Sequence, residues 1–151
     1  MCMSYVQSLY HIVFRTYASE RTIDERYERD LYSYLYAVAT ERRVHVYRIG
    51  GMPDHIHMLV DMPSTESVSA FVGHLKSVSS KWLKGNALFP HFRGWATEYA
   101  ALSYSLRDKE MIVNYIRNQK EHHRKVTFEE EYRHFLSDYG IVIREEFWMV
   151  D

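Results

Sequence analysis

The sequence has few of the residues that mark several common classes of protein. Its one cysteine, Cys2, excludes a disulfide framework and a cysteine-based zinc site. Six glycines and three prolines are too few for a collagen-like or low-complexity chain. No apolar run approaches the ~20 residues that span a membrane, and residues 1–5 do not resemble the start of a signal peptide. We therefore expect no membrane segment and a reducing cytoplasmic environment.

The composition is that of a soluble globular protein. Hydrophobic residues make up 46% of the 151 residues and charged residues 26%. These proportions exclude disorder for most of the chain and are sufficient for a buried core. We expect a single domain over residues 1–151.

The net charge of −1 is unevenly distributed along the chain. The net charge is −2 for residues 1–70, +6 for residues 71–125 and −5 for residues 126–151. A local basic segment can bind phosphate groups although the whole chain is nearly neutral. The alternative explanation of the basic segment is a solvated helix face.

Periodicity predicts four strands and four helices. The strands are expected at residues 4–14, 44–49, 54–61 and 95–105. The first helix is expected to begin at a capping box, Thr22-x-x-Glu25, and the second to run from an N-cap at Ser64 to Gly85. The third is expected over about 110–124, with Asp108 as its cap, and the fourth over about 128–139. A turn is expected at residues 50–53.

The first six elements follow the order β-α-β-β-α-β, which predicts an α+β fold of the ferredoxin-like type. In this fold the first and third strands are central, and both helices pack on one face of an antiparallel sheet. We expect the sheet core to span about residues 4–105. The two C-terminal helices, at about 108–124 and 128–139, follow this core, and the second face of the sheet is left to be covered.

The third strand contains the sequence His55-Ile56-His57. Because side chains alternate across a strand, both histidines point to one face and Ile56 points to the other. The apolar side, with Met58 and Val60, is expected under the two helices, which sends both histidines to the open face. Two imidazoles at this spacing can hold one metal ion. A pair of partly exposed histidines without a metal is the alternative.

Tyr115 and Gln119 are separated by four residues in the predicted third helix and therefore lie on one helix face. His122 continues the same line. A core tyrosine and a solvated glutamine are the ordinary explanation, but the pair can also present a phenol and an amide oxygen to one point. A phenol is a nucleophile and an amide oxygen is a metal ligand.

Together these features resemble the single-tyrosine HUH transposases, which mobilise the smallest bacterial insertion sequences as single-stranded DNA, and the related REP-associated tyrosine transposases. The resemblance covers most of the chain. It rests on residues 4–14, 51–57, 92–95, 99–101, 115–123, 127–128 and 131–132. Glu98 stands where the resemblance leads us to expect a glycine.

The resemblance implies that Tyr115 attacks a scissile phosphodiester in single-stranded DNA, forming a 5′-phosphotyrosine link and releasing a 3′-OH. It also implies a metal ion held by His55, His57 and Gln119, a nitrogen and oxygen ligand set that suits Mg²⁺ or Mn²⁺. One phosphodiester is exchanged for another, so no ATP is needed. His122 is a candidate base, with a solvated helix residue as the alternative.

The resemblance further implies a DNA hairpin near the element ends, a homodimer and action at the bacterial nucleoid. Candidate contacts to the DNA backbone are Lys76, Lys81, Lys84, Arg93, Arg107, Arg117, Lys120, Arg124 and Lys125. Candidates for stacking on bases are His91, Trp95 and Tyr99. Because only a few residues separate the fourth strand from the Tyr115 helix, we expect Tyr115 to reach the histidines of a partner subunit.

Three other functions stay open at this point. A domesticated relative that binds or nicks hairpin DNA would keep the same residues. A metal-dependent hydrolase would use His55 and His57 with water and would not need the hydroxyl of Tyr115. A binding module without catalysis would not require a metal.

Overall fold

The structure is a computed structural model that describes residues 4–145 and 148–149. Its strands are β1 (Leu9–Arg15), β2 (His45–Met52), β3 (His55–Asp61) and β4 (Ala100–Tyr104). Its α-helices are α1 (Glu28–Glu41), α2 (Val68–Lys84), α3 (Lys109–Arg117), α4 (Gln119–His122) and α5 (Phe128–Asp138). Short 3-10 turns lie at Tyr17–Ser19 and Leu106–Asp108. None of the helices among the described residues has the length and apolar character needed to cross a lipid bilayer.

The four strands form one antiparallel sheet in the order β2-β3-β1-β4. This is the predicted ferredoxin-like arrangement, with β1 and β3 in the centre. The pairing of β1 with β3 sets Arg15 opposite His55 and Val13 opposite His57. A bulge between Val46 and Arg48 interrupts the pairing of β2 with β3.

The first face of the sheet carries the main core. Ile56, Met58 and Val60 of β3 are buried there. They pack with apolar residues of α1 and α2, among them Leu31, Leu35, Phe71 and Leu75. The prediction that this side of β3 lies under the first two helices is confirmed, because alternation leaves it no other arrangement.

The second face is not open. Leu9 and Leu59 pack with Ile112 and Ile116 of α3, and a separate cluster joins Val13 and Ala100 to α5. The three C-terminal helices therefore cover the face to which both histidines point. The sequence left this face to be covered by other elements, and the C-terminal helices cover it, since the apolar stripes of α3 and α5 need a surface to bury and this face is the one available.

Several predicted boundaries are also wrong. Helix α1 begins at Glu28, not at the Thr22 box, because the backbone N–H groups of Thr22 and Ile23 donate to the carbonyl of Pro53 instead. The N-cap of α2 is Ser67, whose hydroxyl accepts from the backbone N–H of Ala70 at 3.1 Å, not Ser64.

The other differences concern strand ends and the C-terminal helices. Strand β1 begins at Leu9 and β4 at Ala100, and β2 runs through the two glycines predicted as a turn. The predicted 110–124 helix is divided at Asn118 into α3 and α4. No side-chain cap from Asp108 is formed at the start of α3; the hydroxyl of Ser105 caps the preceding 3-10 turn.

Candidate active site

His55 and His57 lie side by side on β3 and are both completely buried. The ring of Phe128 stacks on His55 with 4.2 Å between the ring centres. The ring of Phe135 lies edge-on to His57 at 6.2 Å. Helix α5 therefore forms the roof over the two imidazoles.

Each of the two rings has one nitrogen held by a neighbour. The Nδ1 atom of His55 is 2.7 Å from Oδ1 of Asp54, and the Nδ1 atom of His57 is 2.8 Å from Nε2 of His11. Contacts of this kind fix the orientation of a ring and leave its other nitrogen for a ligand. Both Nε2 atoms consequently face the same space under α4 and α5.

Tyr115 and Gln119 enter this space from above. The amide oxygen Oε1 of Gln119 is 3.2 Å from Nε2 of His55. The hydroxyl of Tyr115 donates to Oε2 of Glu131, and the Tyr115 ring lies 5.8 Å from the ring of His57. The two residues singled out in the sequence thus reach the two histidines of their own chain.

Glu131 of α5 stands at the centre of the group. Its Oε1 is 3.0 Å from Nε2 of His57 and its Oε2 is 3.3 Å from the amide nitrogen of Gln119. Its Oε2 also lies 3.1 Å from Nε2 of His122 and 3.2 Å from Nε2 of His123. The carboxylate is thus shared by imidazoles, a phenol and an amide.

Burial controls the protonation of the group. It lowers the pKa of His57 to about 4, against attraction from Glu131, so this imidazole is neutral at pH 7. Burial also pushes the pKa of the Glu131 carboxyl upward, but the imidazoles of His57, His123 and His55 that surround it favour the carboxylate and outweigh burial, leaving the pKa well below its ordinary range. Burial and the Glu131 charge raise the pKa of Tyr115 above its ordinary value. Tyr115 is thus a protonated phenol beside a carboxylate anion.

The group has the composition of a metal site. His55, His57, His123 and Glu131 each offer one ligand atom, and these atoms all lie within 4.8 Å of one another. A carboxylate that is buried away from water is stabilised by pairing with a cation. Neutral imidazoles and a carboxylate oxygen are ordinary ligands of divalent ions. The residues present therefore fit a divalent cation.

The family model described as IS200-like transposase matches residues 4–119, about three quarters of the chain. This chain belongs to the IS200-like transposase family. Transposases for the insertion sequence element IS200 from Salmonella typhimurium and Salmonella typhi are each 35% identical to it over 74 residues. The match covers 49% of this chain and 49% of each relative, so the chain spans about half the length of the curated relatives it matches.

Two solved structures show the same fold as this family member. A candidate transposase from Deinococcus radiodurans R1 is 24% identical, with a TM-score of 0.59 over 79% of this chain and 95% of its own. A REP-associated tyrosine transposase bound to a REP hairpin is 14% identical, with a TM-score of 0.62 over 83% of this chain and 74% of its own.

The connection from β4 to α3 does not limit the position of α3 as the sequence suggested. The 3-10 turn at Leu106–Asp108 leads the chain away from the β4 edge, and the ammonium of Lys109 stands 5.0 Å above the ring of Tyr47 on β2. Helix α3 therefore packs near the opposite edge of the sheet. The expectation that the short connection keeps Tyr115 away from the histidines of its own chain is wrong.

The predicted DNA-contacting residues lie in several parts of the fold. Lys76, Lys81 and Lys84 belong to α2, on the face of the sheet opposite the histidines, and Lys76 donates to the carbonyl oxygens of Ala96, Thr97 and Glu98. Three other candidates lie on the side of the site. Arg117 donates to Asn114, Arg124 pairs with Glu121, and Lys120 donates to Glu28 and to the carbonyl of Gly51.

The two remaining arginines lie elsewhere. Arg93 forms a bidentate ion pair with Glu20, and Arg107 is exposed. Their contact with DNA stays a prediction.

Glu98, which stands where a glycine was expected, has a structural partner. Its Oε1 accepts from Nε of Arg15 at 2.5 Å. The Arg15 side chain is only 1% exposed and lies opposite His55 in the register of β1 with β3. The departure from the family pattern therefore provides the countercharge of a buried arginine.

Glu131, His123, His11 and Asp54 were not predicted as members of the site. The sequence does contain a signal for Glu131: it follows Phe128 by three residues and precedes Phe135 by four, so it interrupts the apolar face of α5. A carboxylate in such a position needs a buried partner. His11 gives no comparable signal, because its contact with His57 depends on the register of β1 with β3.

The close approach of α3 to the sheet depends on Gly50. A Cβ atom added there would lie 2.8 Å from Cγ2 and 2.9 Å from the backbone oxygen of Ile116, next to Tyr115. We expect Gly50→Ala to lower the free energy of unfolding by about 1–3 kcal/mol, the range for overpacking, and to shift Tyr115. Urea unfolding measures this change.

Gly73 of α2 is the matched control, since an added Cβ there meets nothing within 4 Å. Gly73→Ala is expected to stabilise the fold by about 0.5–1 kcal/mol, because alanine is the better residue inside a helix. Equal stability of the Gly50→Ala variant and the parent would show that α3 is not seated against β2 as described.

Proposed function

We propose that this chain is a transposase that cleaves and rejoins single-stranded DNA at the ends of an insertion sequence, with Tyr115 as the nucleophile. The observation that carries the proposal is the meeting of the Tyr115 hydroxyl with the Nε2 atoms of His55 and His57 around one carboxylate. Transfer of a phosphoryl group needs a nucleophile and a stabiliser of negative charge at the same phosphate. The proposal is supported by the position of the Tyr115 hydroxyl, which lies next to a group of side chains that fits a divalent ion.

The proposed reaction begins with attack of the Tyr115 oxygen on the scissile phosphorus. The bond from phosphorus to the tyrosine oxygen forms, the bond to the 3′ oxygen breaks, and that oxygen leaves as a 3′-OH after taking up a proton. The phenol loses its proton in the same step, and His122 Nε2, 3.2 Å away, and the Glu131 carboxylate are the groups in reach. A second 3′-OH reverses the step and joins the strands.

We propose that His55, His57 and Gln119 hold Mg²⁺ or Mn²⁺, and that His123 and Glu131 border the ion. When bound, such an ion would polarise the phosphate and neutralise its developing charge. The residues of the chain orient this site: Asp54 fixes the ring of His55, and His11 fixes the ring of His57.

The proposed substrate is a single strand with a hairpin beside the cleavage site. Tyr115 is half-buried beside a cavity of about 450 Å³ between α3 and α5. The lysines and arginines named above as candidate DNA contacts are proposed to guide the phosphate backbone. We further propose that the protein acts as a homodimer at the bacterial nucleoid.

The direct test is a covalent product. Incubation of the full chain with Mn²⁺ and single-stranded DNA from the regions that flank its own coding sequence is expected to give a protein–DNA species that survives SDS. The 5′-phosphate side of the DNA should be attached to the protein and the other fragment should carry a free 3′-OH. Hydrolysed DNA without any attached protein would favour the metal-dependent hydrolase.

The form of the substrate provides a further prediction. Annealing a complementary strand across the cleavage site is expected to reduce the covalent product at least ~10-fold, because the paired strand would obstruct the approach of the scissile phosphate to the half-buried Tyr115. A complementary strand that pairs only with distant sequence is the control and should leave the yield unchanged. Equal cleavage of both DNAs would contradict a single-stranded cleavage site.

A further inference from the structure

Glu131 is a buried carboxylate to which the proposed nucleophile and metal ligands assign no role. Its side chain is 2% exposed. It belongs to α5, which lies beyond residues 4–119 matched by the family model. Phe128 and Tyr132 of the same helix pack into the second face of the sheet and carry the carboxylate down to the histidines.

The spacing of the donor atoms is that of neighbouring ligands on one ion. Oε1 of Glu131 lies 3.0 Å from Nε2 of His57 and 3.5 Å from Nε2 of His55. Oε1 of Gln119 lies 3.2 Å from Nε2 of His55. Adjacent ligands of an octahedral ion with bonds of about 2.1 Å are separated by ~3.0 Å. Two imidazoles and a carboxylate are also a known set for divalent ions.

The second oxygen of Glu131 faces the nucleophile. Oε2 accepts the hydrogen bond of the Tyr115 hydroxyl and lies 3.3 Å from the amide nitrogen of Gln119. The carboxylate therefore joins the donor atoms of the site to the group that attacks the phosphate. A divalent ion with one carboxylate ligand still has a charge of +1, which attracts a phosphate.

We propose that Glu131 is a bridging ligand, with Oε1 bound to the metal alongside His55, His57 and Gln119 and Oε2 holding the Tyr115 hydroxyl. This inference rests on the proposed function, since it completes the same metal site. Its consequence is that metal binding and placement of the nucleophile are coupled through one side chain of α5.

The test is the Mn²⁺ affinity of the full chain, measured by calorimetry and by the electron paramagnetic resonance spectrum of the bound ion, without DNA. Glu131→Gln keeps the shape of the side chain and removes its charge. It is expected to raise the Kd for Mn²⁺ at least ~10-fold and to alter the spectrum. Glu130→Gln is the matched control, because it removes the same charge from an exposed neighbour on α5 and should change the Kd less than ~2-fold.

A measurement on the unaltered chain covers the case in which Glu131→Gln does not fold. Saturation with Mn²⁺ is expected to slow hydrogen exchange of the α5 amides at least ~10-fold, since the bridging ligand would tie α5 to the sheet. Unchanged or faster exchange in α5 on binding Mn²⁺ would overturn the inference, because the metal would then leave Glu131 free or displace it.

The outcomes separate the inference from the function on which it rests. If the parent binds Mn²⁺ and Glu131→Gln binds it equally well, the bridging role is overturned and the metal site stands. If the parent binds no Mn²⁺ at all, both the metal site and the bridging role are overturned.

Discussion

Replacing Tyr115 by phenylalanine is expected to reduce the covalent protein–DNA product by at least ~10³-fold. The change removes the nucleophilic oxygen and keeps the ring, which packs against Phe135 and His57. Loss of a nucleophile removes the covalent route, whereas binding of the DNA does not depend on the hydroxyl. Adduct yield is measured by gel under denaturing conditions and hairpin binding by fluorescence anisotropy.

Tyr104→Phe is the matched control for this prediction. Tyr104 lies on β4 in the same part of the site, with its ring 6.3 Å from that of His11, and is the nearest alternative nucleophile together with Tyr132. The control is expected to retain the adduct. An undiminished adduct in the Tyr115→Phe protein would exclude Tyr115, and intact cleavage without any adduct would favour a hydrolase.

The second large effect is expected from His57→Ala. The change removes a completely buried imidazole whose Nε2 faces the other candidate ligands. We expect loss of detectable Mn²⁺ binding and a decrease in cleavage of about 10²–10³-fold, the size of effect seen when a stabiliser of transition-state charge is removed. Gln119→Ala is expected to have a smaller effect, because an amide oxygen is the weaker ligand. Calorimetry and the adduct assay measure the two quantities.

His45→Ala controls for the loss of a strand histidine, since His45 is exposed on β2 and its ring contacts Tyr47 instead of the site. EDTA is expected to stop the reaction of the parent protein. Full cleavage in EDTA would contradict the metal site. Binding of DNA without cleavage under any condition would favour a module that has no catalytic role.

The sheet could be predicted from the sequence because alternation on β3 is unambiguous. Ile56, Met58 and Val60 are all apolar, which assigns that side to the core and sends His55 and His57 to the other. The start of α1 could not be predicted in this way. The Thr22 box has the right local pattern, but its backbone donors bond to Pro53, a residue about thirty positions away.

The sequence predicted those residue pairs of the site that lie within a single strand or helix. The His55 and His57 pair and the Tyr115 and Gln119 pair each rest on one element, so their shared faces follow from strand and helix geometry. Glu131 and His11 reach the site from other elements, and only the packing of α5 and the register of β1 bring them in. The way in which this face is covered could not be predicted for the same reason, because it depends on how α3 and α5 fold back over the sheet.

Peptide mapping of the covalent product identifies the nucleophile directly. Trypsin cleaves after Lys109 and Arg117 and releases the peptide 110–117, in which Tyr115 is the single tyrosine. After reaction with single-stranded DNA and Mn²⁺ and digestion of the bound strand, mass spectrometry is expected to find this peptide carrying a 5′-linked nucleotide phosphate. A nucleotide attached to any other peptide, or no attached nucleotide after complete cleavage, would contradict the account.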